Sequence, residues 1–233
     1  MRVKDRARPK LPPVEPGVYI AVCVYSIDLG EQLCEYKDKT KSYNNQVRLG
    51  FELVGETVEI DGKQEPRVLS RTLNFTRSKN GGLRKFVQSW LGKTFTDDEF
   101  NELDTNDLVG KPAQLSVVLS ENGEYANIDT IMQLPKGMSA PAPVSPLIRY
   151  DMEPWDDAAF AALPDWAQEQ VKKSSQYQKL HAPETTVDFP EEIVADSVWT
   201  APLGGPQNAI AAIGRGAPKA APPTSGDREV NPI

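Results

Sequence analysis

Metal ligands and redox-active side chains are nearly absent from this chain. Its 233 residues contain two cysteines, Cys23 and Cys34, and one histidine, His181. Without a Cys-x-x-Cys pair or a second histidine there is no adequate ligand set for zinc, and two cysteines make no disulfide framework. No apolar run is long enough to cross a bilayer, and no N-terminal stretch has the make-up of a signal peptide. The expected location is therefore cytoplasmic, with both thiols reduced. Catalytic signatures are missing as well. No Gly-x-x-x-x-Gly-Lys-Ser/Thr occurs, and Gly81-Gly82 is too short to cradle phosphates. The run Asp97, Asp98, Glu99 suits the first turn of a helix. His181 lies close to Pro183, where nothing rigid would orient a general base. These absences favour a protein that binds over one that catalyses, with no metal and no cofactor.

What the chain does contain is unevenly distributed. Of 20 prolines, seven lie in residues 1–137 and 13 in 138–233. Residues 1–137 carry 19 Lys/Arg against 20 Asp/Glu, a net of −1, and 138–233 carry seven against 13, a net of −6. The acidic balance, with a sequence pI of about 4.9, thus belongs mostly to the second part. Within the first part, residues 61–95 hold eight basic and two acidic groups, whereas 97–129 hold one and nine. A module with one basic and one acidic side can attract polyanions despite a negative total. The expected organisation is a basic, proline-broken arm over 1–16, a folded domain over 17–137 and a linker around PAPVSP over 138–153. A short helical segment over 154–181 and a disordered Pro/Ala/Gly-rich acidic tail over 182–233 would follow.

Inside 17–137 the apolar periodicity changes twice. Val18, Ile20, Val22 and Val24 alternate with their neighbours as a first strand, and residues 29–45 are polar enough to be a long loop. Val47, Leu49, Phe51 and Leu53 supply a second strand. Asp61-Gly62 turns into a third, in which Leu69, Leu73 and Phe75 share a parity with Arg71. Leu83, Phe86, Val87 and Trp90 then recur at helical spacing up to Gly92, and a shorter helix carries Phe100 and Leu103. Leu115, Val117 and Leu119 begin a fourth strand that turns at Asn122-Gly123 into a fifth. Beyond the domain, Leu163-Pro164-Asp165-Trp166 opens a helix expected to run to about Leu180. The predicted fold is mainly β: a five-stranded OB-fold-like Greek-key barrel with a helix between strands 3 and 4, followed by a short helix and the disordered tail.

Positive charge clusters where such a barrel would hold a ligand, on strands 2 and 3 and the loop before them. The candidate binding residues are Tyr25, Tyr36, Lys37, Lys39, Lys41, Tyr43, Arg48, Arg67, Arg71, Arg77, Lys79 and Lys85, with Arg84 beside them. Cations that track phosphates alternate there with rings on which bases stack, the pattern of a single-strand binder. Phe51, Phe75, Phe86 and Trp90 fit the apolar parity of their elements and are expected in the core. Barrels of this type often assemble into homo-oligomers, but no residue pattern marks an interface.

The stretches LPPVEPGVYIAVCVYSIDLGEQ, NNQVRLGFEL, GLRKFVQSWLGKTFTDDEF, LVGKPAQLSVV, ANIDTIMQLPKGM and PDWAQEQVKKSSQYQKL together resemble a family of phage and prophage replication-associated, single-stranded-DNA-binding proteins. The resemblance covers about residues 11–180. It implies an oligonucleotide-binding fold that coats single-stranded DNA in phage replication or recombination in the bacterial host cytoplasm. It brings no established set of binding residues with it. The acidic tail resembles those through which bacterial single-strand-binding proteins recruit replication or recombination partners, although the terminal DREVNPI lacks their acidic run ending in Pro-Phe. The alternative is a non-enzymatic protein-interaction module, a replisome adaptor or host-defence inhibitor, that uses the same barrel and tail.

Overall fold

The computed structural model describes residues 11–35, 41–76 and 78–182. Most of the expected arm, nearly all of the expected tail, and Tyr36, Lys37, Lys39 and Arg77 lie outside the described residues. The chain is mainly β, with the order β1 (Gly17–Glu35), β2 (Lys41–Ile60), β3 (Lys63–Asn74), α1 (Gly82–Leu91), α2 (Asp97–Asn101), a 3₁₀ turn (Thr105–Leu108), β4 (Pro112–Leu119) and β5 (Ala126–Met132). A short β6 (Ile148–Tyr150) and three helices, α3 (Asp157–Ala161), α4 (Asp165–Val171) and α5 (Ser175–Leu180), follow. The sheet runs β3-β2-β1-β4-β5, and β6 pairs with β1 on a separate branch. All pairings are antiparallel except β1 with β6.

Alternation places Val47, Leu49, Phe51 and Leu53 of β2 on one face, where they meet Leu73 of β3, Leu115 and Val117 of β4, and Ile128 and Ile131 of β5. The amphipathic helix α1 closes this core with Leu83, Phe86, Val87 and Trp90, and stops at Gly92, whose φ of +60° suits a residue without Cβ. Helix α2 starts on a capping box: Thr96 accepts from the Glu99 N–H, and the Glu99 carboxylate returns to the Thr96 N–H at 2.8 Å. With Lys93 also bonded to it, the Glu99 carboxyl is held down at about 2.

The sheet does not close into a barrel by backbone pairing, because β3 and β5 are its two ends and no ladder joins them. Arg71 spans that gap. Its Nη1 donates to the Ile128 and Asp129 carbonyls of β5 at 3.0 and 2.9 Å, and its guanidinium lies 5.3 Å from the centre of the Phe86 ring.

Four further expectations change. The polar stretch 29–45 is not a loop: β1 continues to Glu35 and pairs with β2 as far as Glu35↔Lys41. Two bulges in β1, at Cys23/Tyr25 and Asp28/Gly30, reverse which parity faces inward, so no simple alternation is visible in the sequence. Gly30 supports the second bulge with a φ of +69°. The expected linker 138–153 contributes β6 and the buried Tyr150 and Met152 to a second core with Ile27, Leu29, Leu163, Ala167 and Val171. The single helix expected to about Leu180 is two, because the Ser174 hydroxyl caps α5 by accepting from the Tyr177 N–H. At the other end, the expected arm is already packed at Val14, which joins the first core.

Candidate nucleic-acid interface

With 47, 49, 51 and 53 turned inward, the opposite parity of β2 presents Ser42, Asn44, Gln46, Arg48 and Gly50. Asn74, Thr72 and Ser70 of β3 pair in register with Gln46, Arg48 and Gly50. This outward strip contains no carboxylate, in a chain with more acids than bases. Its side chains are tied to one another: Gln46 Nε2 donates to Asn74 Oδ1 at 3.0 Å, and Arg48 donates through Nε and Nη2 to Ser70 Oγ at 3.0 and 2.8 Å. The next outward residue, Glu52, is buried and used up locally, accepting the Val144 and Ser145 N–H groups at 2.8 and 2.6 Å.

Where the strip meets helix α4 it deepens into a groove of about 430 Å³, bordered by Tyr25, Arg48, Ser70, Pro146, Trp166 and Glu169. The Arg48 guanidinium stands 4.6 Å from the centre of the Trp166 ring, and the Tyr25 and Trp166 rings are 5.7 Å apart at 46°. Tyr25 packs against Gly50, where a Cβ would come within 2.1 Å of the ring. Burial pushes the Tyr25 phenol up, and interactions with Ser70 and Arg48 pull it only partway back, so it stands as a neutral ring and hydroxyl. Trp166 is fixed from below, since Ala167 and Val171 of the same helix are fully buried in the second core.

The other expected site residues do not form one surface. Arg67 donates to the Pro12 carbonyl, and Arg71 closes the sheet gap, both on the parity opposite Arg48. Arg84 is a core residue, 4% exposed, donating to Asp97 Oδ1 and to the Phe95 carbonyl at 2.6 Å each. Lys79 pairs with the other Asp97 oxygen at 3.4 Å, and Lys85 is exposed on α1. Asp97 is thereby held below the usual carboxylate range, chiefly by Arg84. Lys41 pairs with Glu35 at 3.5 Å at the end of the β1–β2 hairpin, and Tyr43 stands nearby, 58% exposed, across from Leu33. Of the expected residues, the structure brings Tyr25 and Arg48 together and sets Lys41 and Tyr43 at the end of the β1–β2 pairing. Sequence reasoning missed Trp166, Ser70 and Gln46. Phe75, expected in the core, is 37% exposed and stacks on Phe100 at 6.3 Å, because β3 ends one residue before it.

Acidic groups collect elsewhere. A cleft of about 320 Å³ beside Phe75 is lined by Asp28, Asp104, Asp151 and Glu153. Burial pushes both Asp28 and Asp151 above the usual carboxylate range, with a contribution from neighbouring carboxylates. Among the described residues no His, Cys, Asp and Glu cluster has a metal-binding arrangement, and no helix is long and apolar enough to cross a membrane. Searches against family models, curated proteins and solved structures found no match to this chain.

Proposed function

We propose that this chain is a non-enzymatic phage or prophage protein that binds single-stranded DNA, largely independent of sequence, across the outward strip of β2 and β3. One observation carries this reading: an acid-free polar strip leads into a groove that holds Arg48 between a bonded serine and two aromatic rings. Guanidinium, hydroxyls and amides suit a sugar-phosphate strand, and half-buried aromatic rings bordering an open groove suit unpaired bases. The order β3-β2-β1-β4-β5 with α1 between β3 and β4 supports an oligonucleotide-binding barrel whose last seam is closed by the Arg71 side chain in place of a ladder. Lys41 and Tyr43, at the end of the β1–β2 pairing, would extend the track. Replication or recombination in the bacterial host cytoplasm, with partner proteins recruited through residues 183–233, is the setting that the family resemblance supports.

Fluorescence anisotropy with a labelled mixed-sequence oligonucleotide, single-stranded and annealed, tests it. The single strand should bind at low salt, much more tightly than the duplex, with log affinity falling against log salt by about 0.7 per neutralised phosphate. Arg48→Ala should weaken binding roughly tenfold and flatten that slope. No binding of the single strand at low salt removes the proposal.

The protein-interaction reading draws support from the acidic cleft beside Phe75, which would repel phosphates and attract a basic segment. Capture of a defined partner by the full chain, abolished by Asp151→Asn but not by Arg48→Ala, would favour it.

A further inference from the structure

The groove between Trp166 and β2 differs from the rest of the strip in bringing an aromatic ring, a guanidinium and a carboxylate to one place. Pro146, Ile148 and Pro164 line an open slot of about 430 Å³ beside Trp166. That volume is ample for one planar base. Arg48 stands at the Trp166 end, placed for the phosphate of the nucleotide that enters. The one carboxylate bordering the slot is Glu169, exposed on α4, three residues after Trp166 and so on the same side of the helix. The helix that carries it is tied to the sheet, where Gln32 of β1 donates to the Gln170 carbonyl at 3.0 Å.

A carboxylate only accepts hydrogen bonds, so the edge of the base that faces it must donate. Cytosine, adenine and guanine each present an exocyclic amino group. Thymine presents two carbonyls flanking a single N–H, and its oxygens would face the lone pairs of Glu169. We infer that this slot is a single-nucleotide subsite in which a base stacks on Trp166, its phosphate meets Arg48, and Glu169 selects an amino-bearing base over thymine. The inference rests on the single-strand reading above and adds to it a chemical preference at one position of an otherwise tolerant track.

Affinities of the full chain for oligo-dC and oligo-dT of equal length, measured by anisotropy at slightly alkaline pH where dC stays unfolded, test the inference. Oligo-dC should bind roughly fivefold tighter or more. Glu169→Ala should raise affinity for oligo-dT by removing a negative charge and bring the dC/dT ratio close to one. Trp166→Phe, which keeps a ring in place, should preserve the ratio while lowering both affinities. Equal affinities for the two oligonucleotides, or a dC preference that survives Glu169→Ala, would overturn the subsite and leave the single-strand reading standing. Failure of both oligonucleotides to bind would overturn the two together.

Discussion

Arg71 offers the sharpest separation of a structural role from a binding role, because the sequence places it among the cations of the candidate site and the structure sets it across the gap in the sheet. Its Nη1 donates to two β5 carbonyls, one half-buried and one exposed, and its guanidinium lies against Phe86. A hydrogen bond from a charged donor contributes about 1.5–3 kcal/mol when buried, and less at the exposed carbonyl. The ring contact adds about 0.5–1 kcal/mol. Since the two bonds share one nitrogen and half the site is wet, Arg71→Ala should cost about 2–3 kcal/mol, a fall in Tm of roughly 5–10 °C for a domain of this size. Urea denaturation followed by tryptophan fluorescence measures the loss, and Arg71→Lys, with a single ammonium, should recover only part of it. At a temperature where the variant is folded, its affinity for single-stranded DNA should stay within about twofold of the parent, since Arg71 points away from the strip. A folding free energy within about 0.5 kcal/mol of the parent, combined with a large loss of DNA affinity, would refute this reasoning and return Arg71 to the binding surface.

Two other substitutions probe the layer over the strip. Gly50→Val places a Cβ where the Tyr25 ring now lies, 2.1 Å from its carbons. The displaced ring should cost about 1–3 kcal/mol of stability and weaken single-strand binding several-fold, and unchanged affinity would show that the ring's position is immaterial. Burial pushes the Glu52 carboxyl up, but the bonds from Ser145 and Val144 outweigh it and leave Glu52 below the usual glutamate value. The folded state therefore holds fewer protons at Glu52 than the unfolded state, so this clamp stabilises fully above the ordinary glutamate range and is lost as pH falls through the lowered value. Glu52→Gln should be about 1–2 kcal/mol less stable at neutral pH and should lose less on going from about pH 5 to pH 3 than the parent. Parallel pH profiles for the two proteins would contradict the clamp.

Much of the first core was legible because its elements obey simple periods. Leu83, Phe86, Val87 and Trp90 sit three and four residues apart, and Gly92 ends their helix with the backbone angle that glycine tolerates. Asp61-Gly62 and Asn122-Gly123 mark two of the hairpins, β2–β3 and β4–β5, and Asp61 and Gly62 both adopt positive φ. The second core was hidden for a physical reason. Its half of β1 changes parity at two bulges, and its remaining members come from short elements after the proline-rich PAPVSP: Tyr150 and Met152 in and just after β6, and Leu163, Ala167 and Val171, four apart, in and just before α4, where the small Ala167 weakens the stripe. The candidate site was half legible for a related reason. Strand parity sorts Arg48 from Arg71 once the core face is known, but it does not say that a guanidinium reaches across a seam, or that Arg84 turns into the core to meet Asp97. Nor does it show that Trp166, more than a hundred residues from β2, comes to lie over Arg48. A long side chain's use depends on its neighbours in space, and here those neighbours come from the segment expected to be linker and lone helix.

The most direct test of the interface is a titration of the isotope-labelled protein with a short single-stranded oligonucleotide, followed by amide chemical shifts. The perturbed amides should concentrate at 42–50 and 68–74 and on α4 around Trp166, while Arg71's partners at 128–129 and the acidic cleft around Asp28 and Asp151 stay unmoved. Shifts centred on that cleft or on α1, with the β2–β3 strip silent, would contradict it.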